Sequence, residues 1–285
     1  MNTDSKALII TVNFRHAECT MQLLQSASRL EGFLNCYLVI VDNNSKDGSV
    51  ERMQTAISNF TNVELMASAE NRGYFGGAKW ALNRYLISHE VPEWIIVCNN
   101  DVVFDSPAFL RTLFARDSRQ VGVLAPAVIS RITGLDSNPM ILQRPGKGRQ
   151  LRYRFLVSNY YVAWLAQWLA PLVRIGRRRS SGRRSNSATG PIEVYAPHGS
   201  FLIFSRRYFE SGGVIDDGSF LYAEEIGVAE TCRNLSLPVI HDPQLQVTHN
   251  DNQTTGRMLT RKNYQLQKQG LHYALVKYLG SSRGI

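Results

Sequence analysis

CYLVIVDNNSKDGSVERMQTAISNF, residues 36–60, carries three kinds of local order in one stretch. Cys36 to Val41 is an unbroken apolar run rich in β-branched residues, which predicts a strand buried on both faces. Asp42 to Gly48 is turn chemistry. The helix GSVERMQTAISNF follows, with Asp47 or Ser49 as its cap. A doubly buried strand that feeds a helix through a polar turn is the repeating unit of a helix-covered parallel sheet.

The unit recurs on both sides. Upstream, ALIITVNF (7–14) precedes the helix AECTMQLLQSASRL (17–30). Downstream, VELMAS (63–68) leads to GGAKWALNRYLISHE (76–90), and EWIIVCNND (93–101) leads to SPAFLRTLFARD (106–117). VGVLAPAVI (121–129) is a fifth strand. The prediction is an α/β fold, a mixed and mostly parallel sheet flanked by helices. Ligands of such sheets lie beyond the carboxyl ends of the strands. The polar interruptions fall there: Thr11 and Asn13, Asp42 and Asn43, Asn71, and Asn99 to Asp101.

At 285 residues, with 44% hydrophobic and 19% charged residues, the chain has material for one large globular domain. Its four cysteines (19, 36, 98 and 232) form no CxxC pair, which argues against a zinc knuckle or a disulfide scaffold and fits a reducing compartment. The start, MNTDSKALIITVNF, has no long apolar core, so no secretory signal is read. A net charge of +9 points first to nucleic acid. Eleven bases and no acid lie between Ser137 and Ile192, however, and without that stretch +9 becomes −2. The basicity belongs to one insert, and nucleic acid is not an expected partner.

Inside the insert, FLVSNYYVAWLAQWLAPLV (155–173) runs 19 residues without a charge and has bases on both sides. The length approaches that of a membrane span. Ser158, Asn159, Gln167 and Pro171 interrupt it, and Tyr160, Tyr161, Trp164 and Trp168 suit a membrane interface. Three readings stand: docking on anionic lipid, a buried hairpin or dimer contact, and a span.

Several motifs offer chemistry beyond turns. In VDNNSKDGS (41–49), Asp42 can accept hydrogen bonds from a nucleobase imide or a ribose hydroxyl. AENRGYFGGAKWALNR (69–84) opens a helix with glycines that fit neither GxGxxG nor a P-loop, yet its backbone can approach a phosphate. In VCNNDVV (97–103), Asp101 behind two amides offers hard oxygen ligands of the kind that hold Mg²⁺ or Mn²⁺ beside diphosphate. In FLYAEEIGVAE (220–230), Glu224 and Glu225 are either acids favoured by a helix dipole or a general base and its neighbour. His249, in QVTHND, is a candidate metal ligand beside Asp101.

Taken in order, IITVNF, VDNNSKDGS, ENRGYFGGAKWALN, NND, PHGSFLIFSRRYF, FLYAEE and VTHN resemble the inverting family 2 glycosyltransferases of A-type fold. They look most like the bacterial rhamnosyltransferase-like branch that builds O-antigen, capsule and other cell-surface polysaccharides. The likeness runs from about Ala7 to Val128 and from Val194 to Asn250. It implies a single nucleotide-diphospho-sugar transferase domain in which Thr11, Asn13, Asp42 and Asn44 hold the nucleoside, while Asn71 and Gly73 line the donor pocket. The family's Asp-X-Asp motif corresponds to Asn99-Asn100-Asp101, which makes Asp101 the metal carboxylate for Mg²⁺ or Mn²⁺, with His249 completing the site. The second member of the family's acidic pair is the catalytic base, here Glu225, and Glu224 orients the acceptor or shares the proton.

Three departures follow from the same likeness. Asn99 replaces the first motif Asp and weakens the hold on a metal. Lys79 stands where many members have Asn, within reach of a phosphate. Gly227 replaces a common acid, so no third carboxylate supports Glu225.

The resemblance divides the chain into a nucleotide-sugar half (1–136), the insert (137–192), an acceptor and catalytic half (193–255) and a C-terminal helix (256–285). The expected donor is a UDP- or dTDP-linked sugar and the acceptor a saccharide or lipid-linked saccharide. The expected location is the cytoplasm, peripheral on the inner face of the cell membrane, with oligomeric state open. Two rivals remain at this point: a nucleotidyltransferase on a related sheet, and a non-catalytic membrane- or nucleic-acid-surface protein using the arginine run.

Overall fold

The computed structural model describes residues 6–166, 168, 190–251 and 260–280. Strands β1 (Ala7–Asn13), β2 (Cys36–Asp42), β3 (Val63–Ala67) and β4 (Trp94–Asn99) run parallel. Helices α1 (Ala17–Ala27), α2 (Ser49–Ile57) and α3 (Tyr74–Tyr85) connect them. Both faces of this half are dry: Ala7 and Ile9 pack toward α1 and α2, Leu8 and Ile10 toward α3, and all four are fully buried. That is why the strands read as apolar runs instead of apolar–polar alternations.

Past β4 the sheet changes direction. β8 (Phe201–Ser205) lies antiparallel to β4, β6 (Val123–Ser130) antiparallel to β8, and β9 (Val239–His249) parallel to β6. Two short strands, β5 (Val102–Phe104) and β7 (Ile192–Val194), both pair antiparallel with β9. The order is β3-β2-β1-β4-β8-β6-β9-β5, with β7 off that path. The sheet is mixed, as expected: β1 to β4 pair only in parallel among themselves, and β6 with β9 forms a further parallel pairing among antiparallel neighbours. The remaining helices are α4 (Phe109–Phe114), α5 (Lys147–Leu156), α6 (Arg206–Glu210), α7 (Glu224–Asn234) and α8 (Arg261–Lys277).

The uncharged run at 155–173 is not one helix. α5 ends at Leu156, and Asn159 starts a second helix, at 160–166, by accepting the Tyr161 N–H on its side-chain oxygen (2.8 Å). Gln167 and residues 169–173 lie outside the described residues. Among the described residues no helix is long and apolar enough to cross a membrane.

What matters for function is which strand ends meet. The registers Asn13 with Asp42, Val12 with Asn99 and Cys98 with Phe201 bring the ends of β1, β2 and β4 beside the start of β8. Val102 opposite His249 then draws the end of β9 to the same edge.

Candidate active site

The β1–β2 side is a closed network of side chains. Asp42 accepts from Asn13 Nδ2 at 2.9 Å and from Ser45 through both Oγ (2.6 Å) and N–H (3.0 Å). Asn13 Oδ1 accepts from Asn100 Nδ2 (3.2 Å), the Thr20 hydroxyl (3.1 Å) and the His16 N–H (3.3 Å). Asn13 and Asp42 are buried, so these bonds act in a low-dielectric setting where each is strengthened. The network brings Asn13, Asp42 and Asn100 together. It does not bring in Thr11, which is fully buried one pleat deeper beside Cys98. Asn44 lies apart from it as well, a turn residue with φ +62°.

Asn43, one residue before Asn44, joins this side to the glycine-rich loop. Its amide donates to Asn71 Oδ1 and to the Gly73 carbonyl, both at 2.9 Å, and its oxygen accepts the Arg72 N–H at 3.0 Å. Gly73 has φ +74°, and a Cβ there would lie 2.1 Å from the Phe220 carbonyl oxygen. Glycine is therefore required for the loop to meet the chain leading into α7. Lys79, farther along α3, pairs with Asp217 of that same stretch at 2.7 Å, both partly exposed.

At the end of β4, Asp101 is buried and faces His249 Nε2 at 3.0 Å. The Asn99 amide is 3.4 Å from the same nitrogen, and His249 Nδ1 is 3.0 Å from Asp251. Ser130 in turn donates to Asp251. Burial alone would lower the His249 pKa, but the hydrogen bond and charge of Asp101 and the charge of Asp251 outweigh it and raise it. A carboxylate behind Nδ1 with Nε2 presented to a second oxygen ligand is the arrangement that orients a metal-bound histidine. Asp101 and His249, with Asn99 alongside, thus fit a hard divalent cation. Among the described residues no group of three His, Cys, Asp or Glu side chains is placed to hold a metal ion by itself, so such an ion would complete its shell with diphosphate and water.

The third side is the start of α7. Tyr222 and Ala223 just before it take left-handed backbone (φ +67° and +85°), conformations that non-glycine residues hold only under constraint. α8 packs directly on this turn: a Cβ on Gly270 would sit 2.5 Å from the Tyr222 carbonyl oxygen. The turn sends the two acids different ways. Glu225 Oε1 accepts the Gly199 N–H at 3.2 Å, at the mouth of β8. Glu224 lines an internal cavity of about 10 Å³ with Phe75, Ser219 and Tyr273, room for about one water. Burial, then the charge of Glu225, pushes the Glu224 carboxyl up to about 8, and burial likewise raises Glu225.

Tyr74 joins the three sides. Its hydroxyl donates to the Gly199 carbonyl at 3.1 Å. Burial and then the negative charges of Cys98, Glu224, Glu225 and Asp101 hold its phenol well above the usual range. Tyr74 and Glu225 thus meet at Gly199, and the next residue, Ser200, accepts the Asn99 N–H on its carbonyl at 2.8 Å, two residues before Asp101. Sequence reading missed Tyr74, Asp251 and His198, and placed Asn43 at a strand end without giving it a role. His198, whose ring centroid is 6.1 Å from that of His249, is kept neutral by burial and then by the His249 charge, its pKa lowered to about 4. The signals were present in GYFGG, DNN, THND and PHGS, but a tyrosine or asparagine in a loop carries no spacing rule of its own.

The sequence profile described as Glycosyl transferase family 2 matches residues 8–212. Among curated proteins, the chain is 25% identical over 232 residues to N-acetylglucosaminyl-diphospho-decaprenol L-rhamnosyltransferase of two Mycobacterium tuberculosis strains, CDC 1551 / Oshkosh and ATCC 25618 / H37Rv. That match spans 77% of this chain and 68% of the relative. Among solved structures it resembles the mannosyltransferase PcManGT from Pyrobaculum calidifontis in complex with GDP-Man and Mn²⁺, with TM-score 0.55 and 14% identity, over 100% of this chain and 67% of that one. It also resembles GalNAc-T7 with UDP, GalNAc and Mn²⁺, with TM-score 0.60 and 13% identity, over 95% of this chain and 47% of that one. At such identities the structural likeness speaks for the fold alone, a GT-A-like nucleotide-sugar transferase fold.

Proposed function

The chain belongs to glycosyl transferase family 2 and is a glycosyltransferase, and from that premise we propose an inverting, metal-dependent transfer of rhamnose to a lipid-linked saccharide. The donor would be a UDP- or dTDP-linked sugar, and the product a step in a bacterial surface polysaccharide such as O-antigen or capsule, made on the cytoplasmic face of the membrane. The relative's name, a rhamnosyltransferase acting on N-acetylglucosaminyl-diphospho-decaprenol, supports both the sugar and the acceptor class. The observation that carries the reading is the Gly199–Ser200 turn, which bonds Tyr74 and Glu225 on one residue and Asn99, at the end of the strand leading to Asp101, on the next.

Glu225 is the base. It meets Gly199 at the mouth of β8, while its charge helps to keep the neighbouring Glu224 protonated near neutral pH. A carboxylate raised toward the working pH takes a proton more readily than an ordinary one. As Glu225 removes the acceptor's hydroxyl proton, that oxygen bonds the anomeric carbon and the bond to the diphosphate breaks on the opposite face. Asp101 and His249 would hold Mg²⁺ or Mn²⁺, and the ion would offset negative charge gathering on the diphosphate. The Asn13–Asp42–Asn100 network keeps the strand ends that bound the nucleoside side in one shape.

The test is Glu225→Gln. Transfer from a nucleoside-diphosphate rhamnose should fall by about a thousandfold, with donor binding, read by calorimetry, within about twofold of wild type. Wild-type turnover in that variant removes Glu225 from the base role. An absence of transfer by the wild type from UDP- and dTDP-rhamnose alike overturns the donor assignment.

A further inference from the structure

The pair of helices that opens the basic insert, here called the hairpin for the short break at 157–159 between them, has no part in the chemistry above. α5 buries none of its residues. The helix at 160–166 rests on α8 through one side: Tyr160 meets Tyr264 edge-on at 5.6 Å between ring centroids, and the Tyr264 hydroxyl donates to the Val157 carbonyl at 2.9 Å. Tyr161, Trp164, Leu165 and Trp168 fall at offsets of three, four and seven residues, the spacing of a single helix side. Leu151 and Phe155 are four apart on α5. All six side chains are 38–67% exposed. Large apolar side chains left open in a group mark a surface with a partner.

Charge identifies that partner. No acid occurs between Ser137 and Ile192 or after Asp251, while Arg149, Arg152, Arg261 and Lys262 lie on α5 and α8. Two copies docked face to face would set uncompensated positive surfaces against each other, which like charges oppose. An anionic bilayer would instead neutralise them and accept aromatic rings at headgroup depth. Among the described residues no helix is long and apolar enough to cross a membrane, and exposed aromatic side chains beside bases suit a place on its surface. We propose that this hairpin docks the protein on an anionic phospholipid bilayer, with the six apolar side chains among the headgroups. The inference stands apart from the donor and acceptor assignments.

Flotation of the purified full chain with vesicles tests it. The wild type should float with phosphatidylglycerol vesicles and not with phosphatidylcholine vesicles, and added salt should weaken the binding. Trp164→Ser with Trp168→Ser should lower the partition coefficient at least about tenfold. Arg149→Gln with Arg152→Gln should lower it too and flatten the salt dependence. Unchanged thermal melts and unchanged nucleoside-diphosphate binding would show these variants folded. The proposal is overturned if the wild type does not float with anionic vesicles, or if the serine variant floats equally well. It is also overturned if sedimentation shows a dimer that the serine variant dissolves, since the surface then takes a second copy.

Discussion

On the β1–β2 side of the site, Asp42 accepts three hydrogen bonds from two neighbours, and Asn13 and Asn100 tie it to α1. On the α7 side, Glu224 and Glu225 are met by backbone N–H groups alone among the described residues. Both sides bury carboxylates, but Asp42 is held by two side chains as well as a backbone N–H, and the two glutamates by backbone N–H groups. The difference separates two tasks. A carboxylate held by several side chains fixes geometry, whereas one whose pKa burial has raised is poised to exchange a proton. Stability should therefore reside on the first side and chemistry on the second.

The largest effect should come from Asp42→Ala. It leaves the hydroxyl and N–H of Ser45 without their acceptor and the Asn13 amide with only the Ser45 hydroxyl on that side, at about 1–3 kcal/mol for each unsatisfied group. A loss of about 3 kcal/mol or more should lower the thermal midpoint by about 6–12 °C, measured by circular dichroism. If the midpoint instead stays within about 2 °C of wild type, the closed network is not a source of stability and the contrast between the sides fails.

Glu224→Gln should act in the opposite direction and only above acidic pH. The folded-state pKa of Glu224, about 8, exceeds its ordinary value of 4.5. Folding therefore takes up a proton, and the wild type loses stability as pH climbs from the ordinary carboxylate range through about 8. The amide has no charge to bury. Its denaturation midpoint in urea should match wild type near pH 4 and exceed it at pH 9. A constant offset across that range would show that burial of Glu224 does not perturb its titration.

How far these sides were legible depended on distance along the chain. The parallel half was readable because each strand is apolar on both faces and each helix follows locally, as in 36–60. The reversal at β8 was not, since Trp94 opposite Ser205 is a pairing across more than a hundred residues and no local pattern encodes it. The short β5 was hidden for the same reason: its role, setting Val102 opposite His249, exists only once β9 arrives. Among site residues, the acids and His249 were visible as chemistry-bearing types at strand and helix ends. The division of labour between Glu224 and Glu225 was not, because it rests on the left-handed turn at Tyr222 and Ala223, on which Gly270 of a distant helix packs. Asn43 and Asn44 read alike in sequence, and the turn alone decides which one reaches the glycine loop.

The smallest effect distinguishes a bridge between the two sides from a ligand contact. Lys79 pairs with Asp217 across the gap between α3 and the stretch entering α7, with side chains 38% and 45% exposed. A pair so open to solvent contributes at most about 1 kcal/mol, less in salt. Lys79→Ala should shift the thermal midpoint by no more than about 4 °C, and the shift should shrink at high ionic strength. Donor affinity separates the alternatives left by the sequence. If Lys79 only ties the sides together, nucleoside diphosphate binds the variant as tightly as wild type, and Asp217→Asn reproduces the small loss of stability. If Lys79 meets a phosphate, affinity falls in Lys79→Ala and rises in Asp217→Asn, because the lysine is released from its partner.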